Sequence, residues 1–211
     1  MPKYLTYFGL LFLLGILLSR CSQPAADQQK AENNEGAASL SDEARQEYLK
    51  KGKTIASATF AALSGNLQAA LKRGGVEEAA PYCQTVAMPL VDSLSEVYDA
   101  RIRRTSLKVR NPQDEPSTEE RRILQAYHRK AEAGEALSPR VELLETGEVG
   151  FFAPIHIMPL CLKCHGKVGE DMAEKDYTLI KELYPDDEAI GYAEGDLRGM
   201  WSIAFAAQPA E

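Results

Sequence analysis

Beyond residue 40 the chain opens on apolar positions that recur at helical spacing. Tyr48, Ile55, Thr59, Phe60, Leu63, Leu67 and Leu71 form one stripe. Ser41 suits an N-cap, with Asp42 and Glu43 in the first turn, so the spacing predicts a long helix that Gly74 and Gly75 end. A second helix is expected over residues 81–98, with Pro81 at a first helical position and Pro89 kinking it. Its inward face carries Cys83, Ala87, Leu90, Leu94 and Val97. Residues 101–110 alternate and include β-branched side chains, which predicts a strand. Residues 111–116 read as a turn, and Ser117 with Glu120 as the capping box of a helix to about Ala133, ended by Gly134. Residues 141–144 and 149–157 read as a hairpin about Thr146-Gly147. A short helix over 176–183, a loop over 184–195 and a closing strand over 200–206 complete the pattern. Helices followed by strands place residues 41–211 in the α+β class, as one domain around an antiparallel sheet.

Ahead of residue 40 the pattern is different. Lys3 precedes an apolar stretch over residues 4–18, closed by Ser19-Arg20-Cys21. That is the layout of an export signal, and it is short for a transmembrane helix, which needs about 20 apolar residues. Cys21 after Leu17-Leu18-Ser19-Arg20 resembles a bacterial lipoprotein signal, which is cut before the Cys that takes the lipid. Arg20 departs from that pattern, which has a small residue there; an uncleaved anchor or ordinary cleavage nearby are the alternatives. Residues 1–20 are thus expected to be a lipoprotein-type signal peptide and Cys21 the lipid attachment site. Residues 21–40, rich in Gln, Ala, Asn and Glu, are expected to form a disordered tether. The expected location is extracytoplasmic in a bacterium, at a membrane.

Composition narrows the partners. The 211 residues are 45% hydrophobic and 26% charged, as in a soluble globular protein. A formal net charge of −7, with no basic patch, argues against nucleic acid.

Chemistry enters at Cys161-Leu162-Lys163-Cys164-His165. C-x-x-C-H is the attachment site of a c-type haem. Two thiols three positions apart can add across the two vinyl groups of one porphyrin, and the adjacent imidazole can ligate the iron. Three plainer readings compete. A zinc site wants four ligands, and adjacent Cys164 and His165 rarely reach one metal. A thioredoxin-like redox pair would accompany a βαβ pattern, and none is present. A structural disulfide would leave His165 unexplained. One covalent haem c is therefore the expected cofactor.

The position opposite His165 has to be filled or left open. His128 stands beside Arg129 and Lys130 in a charged helix and reads as a solvated surface residue. His156 and Met158 are too near Cys161 to swing to the far face, though they can line a pocket. Met88, Met172 and Met200 suit core filling. Of four cysteines, Cys21 goes to processing and Cys161 and Cys164 to the porphyrin, which leaves Cys83. Spacing alone allows it to be a buried thiol or an iron ligand.

Several spaced motifs bear on that choice. Cys83-Gln84-Thr85-Val86-Ala87-Met88-Pro89, then residues 104–112, Pro159-Leu160-Cys161-Leu162-Lys163-Cys164-His165-Gly166, Tyr184-Pro185-Asp186, Gly191-Tyr192, Gly195-Asp196 and Arg198-Gly199 occur in that order. Over about residues 45–206 the chain resembles an exported c-type haem family with a PAS-like fold, long catalogued as a domain of unknown function. Members of that family occur as single exported proteins and as sensor modules of membrane histidine kinases. The resemblance implies a PAS-like five-stranded antiparallel sheet with N-terminal helices. It also implies iron held by the motif His and by a Cys from an early helix, positions at which His165 and Cys83 stand.

The basic strand allows two roles. Arg104, Lys108 and Arg110 share one face of an extended segment, either as charge that keeps an edge strand soluble or as partners of haem propionates. With thiolate and imidazole both on iron, no position is left for a substrate, and no acid/base cluster suggests an enzyme. The expected function is electron transfer or redox sensing through a redox or signalling protein partner. A gas- or redox-responsive sensor module is the alternative.

Overall fold

A polar cap starts the first helix. The hydroxyl of Ser41 accepts from the Ala44 amide at 3.2 Å, and helix α1 runs Asp42–Thr85. The computed structural model describes residues 39–206. The signal, Cys21 and nearly all of the tether read from the sequence lie outside them. Helix α1 is interrupted at Gly74 and Gly75, and Gly75 takes φ 67°, a left-handed conformation that suits glycine. The expected break is therefore present, but helix resumes at once rather than at Pro81, which lies inside it.

Helix α2 spans Ala87–Tyr98. The interruption at Val86 lies one turn before Pro89. Pro89 has no N–H for the Thr85 carbonyl and its ring crowds that carbonyl, so α1 stops at Thr85. Ala87 and Val91 are buried, and Leu90, Leu94 and Tyr98 pack beside them. Val97, expected on this face, is 74% exposed, because Tyr98 completes the stripe and Val97 falls to its side.

Four strands form one antiparallel sheet in the order β1-β4-β3-β2. They are β1 Ala100–Thr105, β2 Arg140–Leu143, β3 Val149–His156 and β4 Leu197–Phe205. The α+β class and the antiparallel sheet are thus present, with four strands among the described residues where the family resemblance implied five. The hairpin β2–β3 turns at Gly147, as read from the sequence. Strand β1 is shorter than expected and ends at Thr105. The Ser106 hydroxyl donates to the Arg198 carbonyl at 2.6 Å and accepts from the Lys108 amide at 3.2 Å, which turns the chain off the sheet.

Both faces of the sheet are covered. Phe151, Ile203 and Trp201 pack with Tyr48, Ile55, Leu63 and Val91 on the side of α1 and α2. Alternating with them, Phe152, Met200 and Ala204 pack with Ile123, Leu124 and Tyr127 of helix α3, Thr118–Glu132. That helix carries the expected capping box of Ser117 and Glu120. Strand β3 leads into a 3-10 turn, Pro159–Cys161, and the single-turn helix α4, Leu162–His165. Helix α5, Glu174–Leu183, packs on the second half of α1 through Val76, Ala80 and Ile180. Among the described residues no helix is long and apolar enough to cross a membrane.

Candidate functional site

The attachment motif sits on a helical turn. Pro159 presets the backbone at its start, and the Cys161 amide bonds the Met158 carbonyl at 2.8 Å. Three-residue spacing on such a turn puts Cys161 and Cys164 on one side. Both border a cleft of about 260 Å³ between α1, the end of β1 and α5, together with His165, Cys83, Arg104 and Arg110. Cys83, Cys161 and Cys164 are free thiols, so no disulfide joins the motif pair. Burial pushes the Cys164 thiol up to about 11, against the opposing pull of Arg110. Burial also raises Cys83, opposed by Arg104 and Arg110.

His165 is held in one tautomer. Its Nδ1–H donates to the Ala189 carbonyl at 2.7 Å, which leaves Nε2 to carry the lone pair, with no partner among the described residues. Burial holds the imidazole well below its usual range, aided by the cations of Arg110, Arg198 and Arg104 and resisted by the Ala189 bond. A neutral ring with one nitrogen tied back and the other free is the form that ligates a metal. The loop after α5 clamps the motif from behind: the Gly191 amide bonds the Gly166 carbonyl at 2.9 Å and the Tyr192 amide bonds the His165 carbonyl at 3.0 Å.

The basic residues separate. Arg104 lines the cleft and makes no hydrogen bond or ion pair among the described residues. Lys108 is not part of the cleft. With the strand ended at Thr105, its ammonium donates to the Ile190 carbonyl at 2.6 Å and lies 4.6 Å from the centre of the Tyr192 ring. Arg110 borders the cleft, but its guanidinium is bonded on both sides to Asp187, at 3.0 Å each. Arg198 is a cleft residue to which the sequence reading gave no role. It donates to the Lys108 carbonyl at 3.0 Å, and its guanidinium lies 5.6 Å from the Tyr192 ring centre.

The remaining histidines and methionines divide between the cleft and the rest of the domain. His128 is half-buried rather than solvated. Its Nε2 is enclosed without a partner and burial lowers its pKa. His156 lines the cleft mouth as allowed, with Nδ1–H donating to the Gly195 carbonyl at 3.0 Å. Met172 and Met200 fill the core, whereas Met88 lines the cleft.

Tyr82 was also missed. Its hydroxyl is buried in the cleft wall with no hydrogen-bond partner among the described residues. Near it Tyr184 is buried, and its hydroxyl is pushed up to about 12 by burial and then by the neighbouring Cys83. Tyr184 and Arg198 stood within the spaced motifs, but nothing local marked Tyr82 or Asp187. The cleft is thus lined by apolar Phe60, Leu67, Leu71 and Ile180 and by the polar side chains of Arg104, Arg198 and Tyr82. Phe60 and Met158, two of the exposed large apolar side chains, both lie on it. These residues fit a flat, mostly apolar group that carries carboxylates at one edge, vinyl groups for two thiols and iron for Nε2. Among the described residues no three His, Cys, Asp or Glu side chains converge to hold a metal by themselves, which leaves the zinc reading without a ligand set. The all-antiparallel sheet likewise offers no βαβ unit for a thioredoxin-like pair.

Comparison with known proteins agrees with the fold. The crystal structure of the cyanobacterial heme-protein Tll0287 matches with a TM-score of 0.55 at 25% identity, over 78% of this chain and 98% of that one. No curated protein sequence matches significantly. The model of the Tll0287-like family matches residues 23–206, nearly the whole chain, and the protein belongs to that family.

Proposed function

We propose that the protein binds one haem c, attached through Cys161 and Cys164, with iron held between His165 and Cys83, and that it transfers electrons or reports redox state. The observation that carries this reading is the His165 ring, tied by Nδ1–H to Ala189 with Nε2 unpartnered among the described residues, in a cleft that also holds Cys83 and the two motif thiols. The match to a protein described as a heme-protein supports the same cofactor. When bound, haem supplies a one-electron iron couple, and an anionic thiolate ligand lowers its potential. Arg104 and Arg198, rather than Lys108 and Arg110, are the cations suited to the propionates. Two protein ligands leave iron no position for a substrate, which is why we read the protein as a carrier or reporter and not an enzyme. Export, lipidation at Cys21 and a location on the outer side of a bacterial membrane belong to the same reading, because c-type haem is attached outside the cytoplasm.

A sensor role has one observation in its favour. Cys83 lies on the stretch of α1 between the break at Gly74-Gly75 and the end at Thr85, which is held to α5 by Val76, Ala80 and the next residue, Gln84, donating to the Leu183 carbonyl at 3.2 Å. His165 is bonded from several sides, so Cys83 is the ligand free to leave. Absorption spectra of exported protein and of Cys83→Ala test both readings. The expected result is covalent haem on a denaturing gel and a low-spin ferric spectrum that turns high-spin in the variant. A high-spin wild-type spectrum unchanged by the substitution would overturn the Cys83 assignment. Carbon monoxide binding to the reduced wild-type protein favours the sensor, and indifference to it favours the carrier.

A further inference from the structure

Arg110 faces the back of the motif. Its Nε and Nη2 each donate to one carboxylate oxygen of Asp187 at 3.0 Å, in the two-pronged geometry that a guanidinium permits. Nη2 also reaches the Cys164 carbonyl at 2.6 Å and the Ala189 carbonyl at 3.2 Å. These two carbonyls bracket His165: one begins the peptide that carries it, and the other accepts its ring N–H at 2.7 Å. Asp187 closes the arrangement by accepting the Ala189 amide at 2.8 Å. The Asp187 side chain is fully inaccessible and that of Arg110 is 13% exposed, so solvent does not screen the pair.

We infer that Arg110 and Asp187 position the His165 imidazole and set its strength as an iron ligand; this rests on the haem reading above. The pair fixes where the Ala189 carbonyl lies and thereby the plane of the ring. Arg110 also draws on the same carbonyl, which makes it a weaker acceptor for Nδ1–H and limits electron donation from Nε2. Outer partners of this kind orient and tune a metal-bound histidine. A buried ion pair is poor evidence for stability by itself, since apolar replacements often hold a fold equally well. The bonds to both carbonyls that bracket one side chain give the pair a function that stability does not require.

The test uses the haem-loaded, exported protein. Arg110→Lys keeps the charge and loses the fork, and Asp187→Asn keeps the acceptor for Ala189 and loses the charge. Arg110→Met with Asp187→Leu removes both charges together and leaves neither buried alone. Arg103→Lys, at the Arg103–Glu120 pair outside the cleft (3.1 Å), is the control for stability alone. Arg110→Lys is expected to split the ferric electron paramagnetic resonance signal into more than one low-spin species. Asp187→Asn is expected to raise the midpoint potential, and Arg103→Lys to lower Tm while leaving signal and potential at wild-type values. Wild-type signal and potential in the variants that fold overturn the inference, as does loss of folding in all three, which makes the pair structural. If wild-type protein carries no haem, the parent reading fails instead.

Discussion

The hydroxyl of Tyr82, a residue of the cleft lining, is buried and no group among the described residues meets it. An unsatisfied buried hydroxyl costs about 1–3 kcal/mol, so the group either weakens the haem-free protein or awaits an acceptor such as a carboxylate. Tyr82→Phe is therefore expected to leave the haem-free chain as stable or up to about 1 kcal/mol more stable, and to destabilise the haem-loaded form. Urea melts of both forms check this, and equal losses in the two would show that the hydroxyl needs no cofactor partner. Tyr127 is the opposite case. Its hydroxyl meets the Ser138 and Phe152 carbonyls at 2.9 and 3.1 Å, and burial pushes its pKa up to about 12. A raised folded-state pKa means that the stabilisation is whole below the unfolded value near 10 and is lost as pH climbs toward 12. Tyr127 should account for on the order of 2 kcal/mol of the wild-type loss across that window, and Tyr127→Phe, less stable at neutral pH, should fall less. Parallel curves for the two proteins would contradict the assignment.

Helix α1 lies close on the sheet because Gly52 lets it. A Cβ at Gly52 would stand 2.1 Å from the ring of fully buried Phe151. Alanine is favoured over glycine in a helix by about 1 kcal/mol, but overpacking costs about 1–3 kcal/mol and more when the obstacle is a rigid ring. Gly52→Ala should thus destabilise the protein by on the order of 2 kcal/mol net, measured as a lowered urea midpoint with unchanged slope. Gly65, with open space around its Cβ position, should gain from the same change. What was legible in the sequence at this scale is what local chemistry writes. The Ser117 capping box, the Gly147 hairpin turn and the break at Gly74-Gly75 each depend on residues a few positions apart. The end of β1 was not legible, because Ser106 bonds a carbonyl at Arg198 that is remote in the chain. Lys108 left the site for that reason. Arg110 does border the cleft, but its pairing with Asp187 rather than a propionate was not legible, because that partner is also distant in the chain and no periodicity reports such a pair. The motif residues Cys161, Cys164 and His165, by contrast, were adjacent in the sequence and are adjacent on the turn.

Across the whole domain the two sides of the cleft differ in how they are held. The motif side continues from β3, which is paired along its length with β4, and is bonded from behind by the 184–196 loop. The Cys83 side is a helical stretch with a break before it and an end after it, packed on α5. If iron joins the two, haem loading should slow amide exchange most over residues 76–85 and least in β3 and β4, whose backbones are already paired in the sheet. Uniform slowing, read by mass spectrometry on the two forms, would argue that Cys83 is not tied to the cofactor. Strand β4, the fourth in chain order, lies between β1 and β3. Until it is made, only the β2–β3 hairpin can pair. A chain delivered from its N-terminus would therefore present Cys161 and Cys164 before its sheet can close, and haem attachment of the kind proposed would act on an open peptide rather than a finished wall.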